Sequence, residues 1–144
     1  VFKSNRKCSS CSACCEGWVH GDAHGHHFFP GRPCHFMKQT LKGCCSIYKD
    51  RPHDPCKLFK CGWLQDPHLF PEWLKPELSK VIIVKESKEG HDYYVFKNAG
   101  RELSPKLLEW IIMFSLNNKK NIVYYIEGHL RKLGNVAFCK LDIH

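Results

Sequence analysis

The side chains in this chain best suited to chemistry are its thiols. Nine of the ten cysteines lie between Cys8 and Cys61. They open as Cys8-x-x-Cys11-x-x-Cys14-Cys15, recur at Cys34 and at Cys44-Cys45, and close at Cys56 and Cys61. A two-residue spacing lets a single turn aim two thiolates at one ion, which is why it recurs in tetrahedral zinc sites and around iron–sulfur clusters. On a helix, Cys8, Cys11 and Cys15 would share a face while Cys14 sat about 100° from Cys15. Adjacent side chains that diverge in this way do not comfortably reach the same ion. The Cys14-Cys15 pair therefore predicts two neighbouring sites, or one polynuclear cluster, rather than a lone four-ligand ion.

Imidazoles crowd the same region. The stretch from Trp18 to Arg32 carries His20, His24, His26 and His27, and one of these would complete a Cys₃His site. Gly21, Gly25 and Gly31 leave them poorly preorganised, so the expectation is a flexible polar loop. Disulfides are the other use of so many cysteines. No apolar h-region precedes Cys8, which favours metal ligands in a cytoplasmic or other reducing compartment.

Soft thiolates suit both zinc and iron–sulfur clusters. Plain ferredoxin spacing with its proline-terminated fourth cysteine is absent, and zinc, at two ions per chain, is the favoured reading. No dinucleotide fingerprint, P-loop, H-E-x-x-H, nucleophile elbow or zinc-deaminase signature occurs. His91-Asp92 and Glu127-x-His129 have acid–base types, but surface positions at a hairpin turn and a strand end explain them better. Closed cysteine sites imply a structural or interaction module rather than an enzyme. The alternatives are an iron–sulfur-dependent redox or modification enzyme and a metal-handling protein.

Something must hold these ligands in place. At 144 residues, 43% hydrophobic and 25% charged, the chain is the size of one domain with a substantial core. No apolar run reaches the roughly 20 residues of a membrane helix. The formal charge of +8 falls to roughly +4 if eight thiolates hold two divalent ions. A residual positive charge leaves an acidic protein or nucleic acid as a candidate partner.

Three regions follow: a cysteine module over residues 1–66, a proline-broken connector over 67–80, and a second half over 81–144. In the connector, PEWL and PELS predict single helical turns. Leu69, Phe70, Trp73 and Leu74 need burial, so the connector is expected to lie on the surface of the metal module. Beyond it, Val81–Val84 and Tyr93–Phe96 read as a hairpin around Lys88-Glu89-Gly90. Ser104-Pro105 reads as a helix start. Leu107–Leu116 is a helix apolar almost all round, which predicts burial on more than one side. Ile122–Ile126 and Asn135–Lys140 complete the pattern as strands, with Cys139 a buried core thiol. The expected fold is α+β: a metal-bound loop and short-helix module packed on a small antiparallel ββαββ sheet with one buried helix, as one cooperative unit.

Taken together, CSSCSACC, the isolated PC at Cys34, GCCSIYKDRP, PCKLFKC and GWL closely resemble the CxxCxxCC family of zinc- or iron-chelating domains. The resemblance covers residues 8 to about 64. It places the family's eight cysteines at Cys8, Cys11, Cys14, Cys15, Cys34, Cys45, Cys56 and Cys61, with Tyr48, Arg51, Pro52 and Phe59 at its accompanying positions. Cys44 is an extra cysteine beside Cys45, and Pro52 stands one residue further from the next cysteine than is usual in the family. What the resemblance implies is metal chelation. The family's named enzymatic relatives, flagellin lysine methylases, are much longer proteins.

Overall fold

Among the described residues, three two-residue hairpins are of the same kind. At His24-Gly25, Glu89-Gly90 and Glu127-Gly128 both turn residues have positive φ, the combination that a type I′ turn requires and that matches the twist of the flanking strands. The computed structural model describes residues 18, 20–29, 32–40, 43–57 and 59–143. Within them, β1 (Gly21–Ala23) pairs with β2 (His26–Phe28), and β3 (Met37–Thr40) with β4 (Gly43–Cys45). A four-stranded sheet follows, in the order β5 (Val81–Lys88), β6 (His91–Asn98), β7 (Asn121–Ile126), β8 (His129–Leu133).

The sheet is mixed rather than antiparallel. β5–β6 and β7–β8 are antiparallel hairpins, but β6 and β7 run parallel, with Tyr94 opposite Ile122 and Phe96 opposite Tyr124. The cause is the helix between them, here called α3 (Pro105–Asn118), since a parallel neighbour can be reached only by a crossover. Short helices α1 (Gly62–Gln65) and α2 (Pro76–Ser79) precede the sheet, and α4 (Val136–Cys139) follows it.

The fourth strand therefore lies at 129–133, not 135–140, and the order is ββαββα. Asn135 ends the strand reading because its side chain caps α4, accepting from the Phe138 amide at 2.7 Å. Cys139 is consequently exposed, not buried; Phe138 takes the core position.

Alternation divides the sheet side chains between two faces. Ile83, Tyr94, Phe96, Ile122 and Tyr124 face Leu107, Ile111 and Phe114 of α3, together with Cys61, Trp63, Phe70 and Leu74. Tyr93, Val95 and Val123 face Phe138, with Leu141 and Ile143 packed around it. Both faces are covered, which explains why VIIV and YYVF are continuous apolar runs rather than alternating ones. Lys88 and Lys132 fasten the C-terminal segment by donating to the Asp142 and Leu141 carbonyls.

Connector residues Phe70 and Leu74 are fully buried in this main core, while Trp73 remains 39% exposed. Phe70 meets Tyr94 edge-on, with ring centroids 5.2 Å apart, and lies 5.3 Å from Phe114. The expected single turns at PEWL and PELS are present at Glu72–Leu74 and α2. α3 begins as expected, with Ser104 accepting from the Leu107 amide and Pro105 at its first position. It buries one side only: Ile112, Met113 and Leu116 are exposed, and the polar Ser115 is buried. Ser115 is satisfied there by donating to the Lys120 carbonyl at 2.8 Å.

Candidate metal centre

A second, smaller core forms around the cysteine block. Ala23, Phe28 and Cys34 are buried together, with Phe36, Met37 and Cys56 packed against them. The His-rich stretch is thus a hairpin rather than a flexible loop. Asp22 stabilises its turn by accepting from the Gly25 amide at 2.8 Å, and His24 ties it to the neighbouring turn by donating from Nε2 to the Asp50 carbonyl at 2.9 Å. Gly21 is needed for the close fit. A Cβ there would lie 2.7 Å from the Phe28 ring and 3.0 Å from Pro55, so the hairpin rests directly on the turn His53–Lys57 that carries Cys56.

Two thiols, Cys34 and Cys56, belong to this core, and a third, Cys45, lies in the strand beside it. Cys34 precedes β3 and its carbonyl accepts from the Met37 amide. Cys45 lies in β4 opposite Met37. Cys56 comes from the turn beyond. They are close enough to interact electrostatically. The Cys56 thiol is pushed above its ordinary pKa by burial first, then by the neighbouring Cys34 and Cys45, while Arg51 pulls it back down. Without a cation the Cys56 thiol resists losing its proton, and a divalent cation would reverse that preference. All three are free thiols, as is Cys139.

Cys61 stands elsewhere. It is the residue before α1, is 8% exposed, and belongs to the main core with Trp63 and Phe70. Of the described candidate ligands, Cys34 and Cys56 thus belong to one packing cluster and Cys61 to another. Cys8, Cys11, Cys14 and Cys15, and with them the helical reading of Cys8–Cys15, lie outside the described residues. Cys44 precedes Cys45 in β4. Among the described residues, no three His, Cys, Asp or Glu side chains converge closely enough to hold an ion by themselves. The donor chemistry of Cys34, Cys45 and Cys56 fits a thiophilic metal, but they do not form a closed site.

The histidines occupy other roles. His26 stacks on His35 with centroids 4.1 Å apart and planes within 10°, and both rings meet Phe36 edge-on. Imidazole lone pairs lie in the ring plane, so two parallel rings do not converge on one ion. His27 lies 3.9 Å from Asp22 at the surface, and His20 is exposed. Arg51 is the residue whose electrostatic part the spacing arguments missed. It reads in sequence as part of a rigid exit from the Cys44-Cys45 knuckle, and only the folded turn brings its charge near Cys56.

Among the described residues, no helix is long and apolar enough to cross a membrane. No protein-family model, curated protein or solved structure matches the chain. The α+β architecture and the thiol grouping therefore stand on the residues themselves.

Proposed function

We infer that this chain is a thiolate metal-binding module, holding zinc at two sites, that serves as a structural or interaction platform within a larger protein or nucleoprotein assembly. The observation that carries the reading is the packing of Cys34 with Cys56 in one small core, with Cys45 near enough to join Cys34 in opposing ionisation of the Cys56 thiol. Thiols so placed gain most from a shared cation. One further point supports two sites over one polynuclear cluster: Cys61 packs in a different core from Cys34 and Cys56. The resemblance to the CxxCxxCC family points the same way. The positive charge, +8 without metal and roughly +4 with eight thiolates holding two divalent ions, favours an acidic partner, whether protein or nucleic acid.

The test is elemental analysis of protein purified without air, followed by chelation. About two zinc ions per chain are expected, with Cys56→Ser lowering the content by about one and chelator abolishing the cooperative unfolding transition. A brown, iron-replete preparation would instead establish the iron–sulfur alternative. Metal-free protein that unfolds cooperatively with an unchanged midpoint would refute the proposal.

A further inference from the structure

α3 turns an apolar face to solvent. Glu109, Ile112, Met113 and Leu116 recur at i, i+3, i+4 and i+7, which places them on one side of the helix, and all four are exposed. Leu116 is 69% exposed and Met113 47%. A contiguous apolar stripe bounded by charge is a candidate contact surface. Beside it, the segment 67–71 and α3 leave an open groove of about 580 Å³ whose lining includes Pro67, Pro71, Trp110, Met113 and Phe114.

The charges at the ends of the stripe identify the occupant. Its N-terminal end is acidic at Glu109, and beyond its C-terminal end stand Lys119 and Lys120. Lys106, one turn before Glu109, keeps its charge but is directed toward Trp73, its ammonium 5.9 Å from the ring centre. The surface therefore runs acid, apolar, base along the helix. Such a surface is complementary to itself when the second copy is antiparallel, and repels itself when parallel. Antiparallel pairing also sets the positive end of each helix dipole against the negative end of the other.

We propose that this face of α3 is a two-fold interface between two copies of the chain. Glu109 of each copy faces Lys119 and Lys120 of the other, the apolar side chains meet across the axis, and each Leu116 enters the groove beside the other copy's Met113. Such a contact is isologous, so both pairs form at once. The net charge of +8 opposes approach at long range, and near-physiological salt screens it.

Sedimentation of the full chain between about 5 and 500 µM at roughly 0.15 M salt tests the proposal. A reversible monomer–dimer equilibrium is expected. Leu116→Glu should raise the dimer dissociation constant at least about tenfold while leaving the melting temperature of the dilute monomer unchanged. Glu109→Lys should weaken the dimer, and adding Lys119→Glu with Lys120→Glu should restore it. A chain monomeric throughout would overturn the proposal. So would a dimer indifferent to Leu116→Glu, or a charge-swapped triple variant no tighter than Glu109→Lys alone.

Discussion

Gly62 fixes the cysteine block to the sheet, and replacing it with alanine tests that joint. Gly62 opens α1 immediately after Cys61. A Cβ at this position would lie 2.6 Å from Ile83 Cγ2, 3.0 Å from Ile83 Cβ and 3.3 Å from the Phe70 ring. Ordinary carbon contacts are about 3.5–4.0 Å, so the overlap with Cγ2 is roughly 1 Å. Neither neighbour can swing into solvent, since Ile83 and Phe70 are both fully buried. Overpacking of this kind costs about 1–3 kcal/mol. Against it stands the ordinary gain from replacing glycine by alanine in a helix, about 0.5–1 kcal/mol, smaller at a first position. The net expectation is a loss of about 1–2 kcal/mol, or roughly 3–6 °C in melting temperature. The assay is urea unfolding of metal-replete Gly62→Ala, alone and with Ile83→Ala. Ile83→Ala by itself should cost about 2–5 kcal/mol. It removes Cγ2, so in its background the cost of Gly62→Ala should fall by at least half, a coupling readable by double-mutant cycle. A neutral or stabilising Gly62→Ala, or an equal cost in both backgrounds, would refute the close packing of α1 on β5.

Two further outcomes follow from single hydrogen bonds. The Tyr94 hydroxyl donates to Asp66 Oδ2 at 2.9 Å; burial, and then that bond and the carboxylate's charge, hold its pKa well above the ordinary phenol value. The fold prefers the neutral phenol, so this contribution is complete below the unfolded-state pKa of about 10 and is lost as pH rises beyond it. Tyr94→Phe should cost about 1 kcal/mol at neutral pH and flatten the alkaline decline in urea midpoint; an unchanged decline would remove Tyr94 as its source. Ser104→Ala should cost about 1 kcal/mol by uncapping α3, seen as a lower melting temperature that Ser104→Asp restores.

Legibility varied with the range of the interaction involved. Ser104-Pro105 announced the start of α3 because a cap is chemistry between residues three apart. Glu89-Gly90 announced a hairpin for the same reason. Glu127-Gly128 is the same dipeptide and would have placed the fourth strand at 129–133; reading VAFCK as a strand hid it, although Asn135 is an equally local cap signal. The His-rich hairpin escaped because its glycines suggested freedom. What restrains it is distant: Pro55 against Gly21, and the Asp50 carbonyl on His24. The apolar surface around most of α3 predicted burial on more than one side, yet only one side is buried; the pattern could not say which side the sheet would take.

The sequence by itself determined the chemical character of this protein: soft thiol donors in a dense block, spaced for turns, and an α+β half built from runs of strand and helix formers. Residue type and short spacing suffice for that, because ligand softness and turn geometry are local properties. Only the tertiary structure decided which thiols meet. Cys34 and Cys56 share one small core with Cys45 beside it, Cys61 sits in another, and the charge of Arg51 acts on Cys56. It also decided that β6 and β7 run parallel and that one face of α3 remains open. These outcomes depend on how separate segments pack, and packing is settled by fit and burial across the whole chain rather than by the spacing of residues along it.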